Sequence, residues 1–220
     1  MELDRRAVAA LADLAAAHPG RLTVVEADAV KADAAALLPA PRKIVANLPY
    51  NAATPLLVGW LRAAASFEGM ALMFQQEVAE RICAAPDTDA YGRLSVLAQW
   101  RCRCELLLSL PPGAFSPPPK VWSAVVGFTP RAEDPGPALF ATMERLTAAA
   151  FGQRRKMLRG SLKALGGAEA LLAAAGIDGA RRAETLSVAE FDRMARALLA
   201  RDRKAPPHPL TAATPAAPTA

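Results

Sequence analysis

The chain has 220 residues, a formal net charge of +5 and a pI near 9.4, which allows one sizeable domain and a small one carrying an arginine-weighted excess suited to phosphate. Three cysteines (Cys83, Cys102 and Cys104) lack the spacing of a metal site or a disulfide framework, so packing roles, no metal and a reducing, cytoplasmic setting are expected. Met1-Glu2-Leu3-Asp4 is not the start of a signal peptide, and no apolar run reaches the ~20 residues of a membrane span, so no membrane partner is expected.

Asp4 to Ala17 is rich in Ala and Leu at helical spacing and stops at Pro19-Gly20. Leu22 to Glu26 is short and β-branched, which predicts a strand ending near Asp28. Ala34 to Leu38 reads as a short helix or loop closed by prolines. Lys43 to Ala46 is an apolar run of the kind buried in a parallel sheet. A helix over Pro55 to Ala65, a strand over Ala71 to Phe74 and helices over Gln76 to Ala84 and Arg93 to Gln99 follow. Strands over Cys102 to Leu108 and Val121 to Phe128 flank a proline-rich connection. This βαβαβ rhythm, finishing on two adjacent strands, predicts an α/β, doubly wound, Rossmann-like sheet with an antiparallel edge.

Past Pro130 the character changes. Arg131 to Pro137 reads as a linker, and everything beyond it as helix: Leu139 to Phe151, a basic segment from Gln153 to Leu165, Glu169 to Ala175, and Ser187 to Ala200. Ser187 with Glu190 makes a capping box, and Phe191, Met194 and Leu198 share one face. The expected division is a catalytic domain over residues 1–130, a small helical RNA-binding domain over 136–203, and a disordered Pro/Ala/Thr tail over 204–220.

The strand Lys43 to Ala46 delivers Asn47-Leu48-Pro49-Tyr50 to its carboxyl end, where open α/β sheets bind ligands. An amide oxygen (Asn47) and a backbone carbonyl (Leu48) can accept from both N–H bonds of an exocyclic amine. Such bonding localises a lone pair otherwise spread into the base. Pro49 fixes φ and stiffens the turn, and the Tyr50 ring can stack on a flipped base, an interaction of roughly 1–3 kcal/mol. The competing reading is an ordinary strand-to-loop turn with a buried tyrosine. Phe115-Ser116-Pro117-Pro118-Pro119-Lys120 forms a stiff loop that could wall a base pocket with Phe115; otherwise it is a plain connection or a proline ligand.

Arg154, Arg155, Lys156, Arg159 and Lys163 form an expected basic helix in which Arg155, Arg159 and Lys163 make one row, opposite Phe151, Leu158, Leu162 and Leu165, suited to a phosphate backbone or to a solvated face. Arg81 could reach a phosphate or simply pair with Glu77 at i,i+4. Asp28, and with it Ala29, stands at the end of the Leu22–Glu26 strand. Glu2 stands where a preceding strand would end. Acidic residues in such places accept from ribose hydroxyls, whereas Asp28 alone could be a turn cap and Glu2 a free terminus.

The order Glu2, Asp28, Asn47-Leu48-Pro49-Tyr50, Gln75 to Arg81, Tyr91 to Val96, Phe115 to Ser123 and Phe151 to Leu162 resembles the ribosomal RNA adenine dimethyltransferases. The resemblance covers residues 1 to about 200. It implies a class I methyltransferase fold with a small helical C-terminal domain, and S-adenosylmethionine as methyl donor. It also implies N6,N6-dimethylation of two adjacent adenines near the 3′ end of small-subunit rRNA, carried out by a monomer on an immature 30S particle. Under it Glu2 binds the cofactor ribose, Asp28 and Ala29 its adenine, Asn47 and Leu48 hold the target amine, Tyr50 stacks on the target base, and the segment from Arg154 contacts rRNA. The family's N-terminal arm, first strand and glycine-rich cofactor loop have no counterpart here, so the sheet is expected to be N-terminally incomplete, with a gap beside Lys43–Ala46. Gln76 stands where the family usually carries a basic residue. The alternatives are a non-catalytic rRNA-binding assembly factor or fragment, and a large-subunit rRNA adenine-N6 methyltransferase.

Overall fold

The computed structural model describes residues 1–204. The sheet has four strands: β1 (Lys43–Asn47), β2 (Gly69–Gln75), β3 (Cys102–Leu110) and β4 (Ser123–Pro130), in the order β1-β2-β4-β3. β1 and β2 are parallel, with Asn47 opposite Met73. β4 runs antiparallel to both β2 and β3. The reversed strand therefore lies inside the sheet, and β3 forms the edge. β3 carries a bulge between Leu106 and Leu108. There the Leu107 side chain lies over Gly127, where an added Cβ would stand 3.0 Å from it and would push the exposed leucine outward.

Helices α3 (Ala53–Arg62), α4 (Gln76–Cys83) and α5 (Arg93–Arg101) follow the strands. Pro55 sits in the first turn of α3, where its missing N–H has no intrahelical role. The face of α3 carrying Leu56, Leu57, Trp60 and Leu61 is buried, as are Met70, Leu72 and Phe74 on β2 and Ala124, Val126 and Phe128 on β4. The other sheet face is open by comparison: Ala71, Met73 and Val125 are half-buried, and Val45 on β1 is 83% exposed. Lys43–Ala46 is thus an outer strand with alternating burial, in place of the fully buried one its composition suggested. Among the described residues its second edge has no strand partner.

The amino-terminal part departs from expectation. The expected first helix breaks at Leu11 into α1 (Arg5–Ala10) and α2 (Ala12–Ala17), neither burying a residue. Leu22 to Glu26 is not a strand; its one regular pairing is a parallel bridge between Glu26 and Glu2. β-branched residues favour a strand only when a neighbour completes the ladder, and among the described residues no neighbour extends it.

The helical part contains α6 (Gly136–Gly152), α7 (Leu158–Ser161), α8 (Ala168–Ala175) and α9 (Val188–Lys204). α8 stops at Gly176, whose φ of +64° is the left-handed C-cap conformation. The capping box of α9 forms as expected: Ser187 N donates to Glu190 Oε2 at 2.8 Å, and Glu190 N donates to Ser187 Oγ at 3.2 Å. Phe191, Met194 and Leu198 are fully buried. One continuous cluster of buried side chains runs through the sheet layer and the helical part. At their junction Arg101, 1% exposed, donates to the carbonyls of Leu61 (3.1 Å) and Glu133 (2.8 Å) and to Asp134 (3.1 Å). Trp100 Nε1 reaches Asp192 on α9 at 3.0 Å. Cys102 is buried and Cys104 half-buried on one face of β3, both as free thiols held above the ordinary range by burial. The tail beyond Lys204, expected to be disordered, lies outside the described residues.

Candidate functional site

Asn47 ends β1 and is exposed; among the described residues its side-chain amide has no internal partner. Leu48, 5% exposed, anchors the following turn in the core. Pro49 shapes that turn, its carbonyl accepting from Ala52 N at 3.0 Å just before α3 begins. Tyr50 is 40% exposed, so the tyrosine is not the buried residue of an ordinary turn. Its hydroxyl lies 3.0 Å from Ser123 Oγ, and Ser123 is fully buried at the start of β4. That bond fixes the tip of the ring and leaves its flank accessible. A second tie lies alongside: Gln76 N, at the start of α4, donates to the Trp122 carbonyl at 2.9 Å. Ser123 was not singled out by sequence reasoning. Its signal was its place where the proline-rich loop turns into an apolar strand. Phe115 is half-buried in that loop, at the end of a short 3₁₀ turn over Pro112–Ala114.

The two acidic residues are brought together by the bridge between Glu2 and Glu26, with Asp28 two residues further on. Each is already partly engaged. Glu2 Oε1 accepts from Leu3 N and Asp4 N at 2.8 and 2.9 Å. Asp28 Oδ1 accepts from Val30 N at 2.9 Å, the turn-capping role, and Lys31 Nζ stands 3.7 Å from its Oδ2. Ala29 packs against the core. Among the described residues no strand pairing connects this pair to β1, so the structure joins Asn47, Leu48 and Tyr50 to the sheet far more firmly than Glu2 and Asp28.

The basic segment is not one helix. Residues 153–157 form a turn, α7 covers Leu158–Ser161, and a 3₁₀ turn covers Leu162–Leu165. The cause is tertiary: Leu158 N donates to the Arg181 carbonyl at 2.8 Å and Met157 bridges Arg182, which draws the chain out of helical geometry. The expected row of Arg155, Arg159 and Lys163 on one helix face is corrected accordingly. Arg155, Lys156, Arg159 and Lys163 remain exposed, and among the described residues none of them makes an ion pair. Arg154 differs: it donates to the carbonyls of Asp89 (2.5 Å) and Tyr91 (3.0 Å) and lies 3.5 Å from Glu184. Arg81 pairs with Glu77.

A Rossmann-like methyltransferase sheet with a polar-aromatic loop at the carboxyl end of a parallel strand is the class these features define. Residues 1–199 match the family Ribosomal RNA adenine dimethylase, and the chain belongs to that family. It is 64% identical over 200 residues to "Ribosomal RNA small subunit methyltransferase A" of Gluconobacter oxydans (strain 621H), a match spanning 91% of this chain and 66% of that relative. It is 57% identical to the protein of the same name from Rhodospirillum rubrum, over 90% of this chain and 69% of that one. Among solved structures, a dimethyladenosine transferase from Plasmodium falciparum shares the fold with a TM-score of 0.71 at 23% identity, covering 87% of this chain and 78% of the other. The 23S rRNA methyltransferase ErmE has a TM-score of 0.63 at 25% identity, covering 90% of this chain and 80% of its own. Among the described residues no helix is long and apolar enough to cross a membrane.

Proposed function

We propose that this chain carries the acceptor side of an S-adenosylmethionine-dependent enzyme that dimethylates N6 of two adjacent adenines near the 3′ end of small-subunit rRNA, acting in the cytoplasm as a monomer on an immature 30S particle. One observation carries the reading: Asn47-Leu48-Pro49-Tyr50 stands at the carboxyl end of β1 with an unpartnered amide and a half-exposed ring braced by Ser123. Under this reading Asn47 Oδ1 and the Leu48 carbonyl accept from the two N–H bonds of the target amine and aim its lone pair, Pro49 keeps the acceptors fixed, and Tyr50 stacks on the flipped base beside Phe115. The amine is neutral and sheds its proton to solvent after transfer, so no general base is needed. Arg155, Lys156, Arg159 and Lys163 supply phosphate contacts, with Arg154 holding their segment in place. Division into a catalytic part over residues 1–130 and a helical RNA-binding part over 136–203 is a matter of composition and topology, since the core is shared.

S-adenosylmethionine supplies an electrophilic methyl group when bound. Its nucleoside end suits the chain: Glu2, with Oε2 free of backbone bonds, would take the ribose hydroxyls, and Asp28 with Ala29 would take the adenine, whose amine would share Asp28 Oδ2 with Lys31. No glycine-lined cradle lies beside β1 among the described residues for the methionine end.

The test is methyl transfer to small subunits lacking the modification, with the modified nucleotides mapped by mass spectrometry. Dimethyladenosine at adjacent positions that disappears with Asn47→Ala is expected. Full activity in Asn47→Ala would overturn the acceptor mechanism. A second reading, a non-catalytic rRNA-binding assembly factor, is favoured by the local engagement of Glu2 and Asp28. It requires RNA binding without calorimetrically detectable S-adenosylmethionine binding, and a loss of cofactor affinity in Asp28→Ala would exclude it. Modification found on large-subunit rRNA would redirect the substrate assignment.

A further inference from the structure

The chemistry above leaves unused a cavity of about 720 Å3 beside the acceptor loop. Its walls include Gln76 and Glu80 of α4, Ser109 near the end of β3, and Lys120 and Trp122 leading into β4. One hydrogen bond already described joins it to the acceptor loop, Tyr50 to Ser123, the residue after Trp122, while Gln76 N to the Trp122 carbonyl ties two of its walls together.

Trp122 is unlike the other tryptophans. Trp60 is 7% exposed and Trp100 is tied to Asp192, whereas Trp122 is 51% exposed in a cavity wall. An indole so placed offers a stacking face. Next to it stand hydrogen-bond acceptors. Gln76 Nε2 donates to Glu80 Oε1 at 2.9 Å, while Gln76 Oε1 is buried without a partner, an arrangement that costs stability unless a donor arrives. Glu77, also at the rim, is occupied by Arg81. The carboxylates repel phosphate but accept from amino groups, and Lys120 on the other wall attracts phosphate.

We propose that this cavity binds the base of a nucleotide next to the one being methylated, stacked on Trp122, with an exocyclic amino group directed at Gln76 and Glu80 and the backbone passing Lys120. The inference rests on the RNA-methylation reading of the Asn47 loop and deepens it by adding a base-reading subsite. Adenine, cytosine and guanine carry the required amino group; uracil does not. A stretch of single-stranded RNA supplies the aromatic face, the amino donor and the phosphate at once.

The experiment uses the full chain with an adenosine hexanucleotide, a uridine hexanucleotide and an abasic ribose-phosphate hexamer, read by tryptophan fluorescence and by anisotropy of an end label. The adenosine oligomer is expected to quench fluorescence and to bind about fivefold or more tightly than the uridine oligomer. Trp122→Ala should lose about tenfold in affinity for it together with most of the quenching, while Trp122→Phe stays within about threefold. Gln76→Leu should bring adenosine and uridine oligomers to similar affinity. Equal binding of all three oligomers, or unchanged adenosine binding and quenching in Trp122→Ala, would overturn the proposal. Should Trp122→Ala fold poorly, the phenylalanine variant and the wild-type quenching decide. Asn47→Ala separates the two readings: lost methyl transfer with intact quenching supports both. Retained methyl transfer removes the acceptor mechanism and leaves the oligonucleotide result standing.

Discussion

Arg154 separates a structural arginine from a nucleic-acid contact, and replacing it with alanine tests the distinction. Its guanidinium donates to the Asp89 and Tyr91 carbonyls and stands 3.5 Å from Glu184, so it staples the segment between α4 and α5 to the helical part. A buried hydrogen bond from a charged donor contributes about 1.5–3 kcal/mol. The side chain is 46% exposed, so water screens the set, and its removal should cost about 1–2 kcal/mol in all. For a chain of this size that lowers the thermal midpoint by about 2–8 °C. Arg155, exposed and without an ion pair among the described residues, should behave oppositely when changed to alanine. Its midpoint should stay within about 1 °C, while RNA affinity falls and the slope of log affinity against log salt drops by about one. Differential scanning fluorimetry and a salt titration of RNA binding on both variants give the answer. An unchanged midpoint in Arg154→Ala, combined with a full unit lost from the salt slope, would refute the reasoning and return Arg154 to the RNA-binding face.

Ser123→Ala should leave stability nearly unchanged but free the Tyr50 ring. Methyl transfer should fall by about tenfold through kcat while RNA affinity holds, and a rise in KM alone would contradict the bracing role. The bidentate Arg181 fork, followed by Ser187 donors, holds the Glu190 carboxyl near about 2, below its ordinary 4.5. A carboxyl depressed in the folded state contributes stability that is complete above about pH 4.5 and lost as pH falls toward 2. Glu190→Gln should therefore flatten the acid limb of a urea-denaturation series, and an unchanged limb would count against the pairing. Val45→Thr should change stability by less than about 0.5 kcal/mol, because the side chain is 83% exposed. A cost of about 1.5 kcal/mol in solution would show that the face of β1 is covered.

Local signals carried much of the fold. α9 was legible because Ser187 and Glu190 cap it and its apolar residues recur at helical spacing, and both features depend on nearby sequence alone. The strand β1 was legible as a strand from Ile44-Val45-Ala46, which reads the same whether one neighbour or two complete the ladder, so its missing neighbour was foreseen only from the family resemblance and not from local composition. Leu22–Glu26 failed for the related reason that strand propensity needs a partner, and among the described residues only Glu2 provides one. The basic segment failed because a long-range bond from Leu158 to Arg181, invisible to periodicity, overrides helical spacing. At the site, Asn47 to Tyr50 could be read directly, being contiguous. Ser123 and Trp122 lie over 70 positions from Tyr50, and only the β2–β4 pairing brings them beside it.

That pairing explains why the acceptor side holds together although β1 has no second strand partner among the described residues. Asn47 is placed by β1 against Met73 of β2, Tyr50 is braced by Ser123 of β4, and Gln76 follows directly from β2. Every element that aims at the target amine is thus fixed from the β2–β4 side, by hydrogen bonds and by the buried face under α3 to α5. Glu2 and Asp28 stand outside the named strands, held by one bridge between Glu2 and Glu26, two residues before Asp28. The two halves of the reaction therefore differ in what supports them: the acceptor geometry should survive changes around Glu2 and Asp28, which sit outside the sheet pairing among the described residues. An Asp28→Ala variant that lost quenching of Trp122 by the adenosine oligomer would show the halves to be coupled and this division to be wrong.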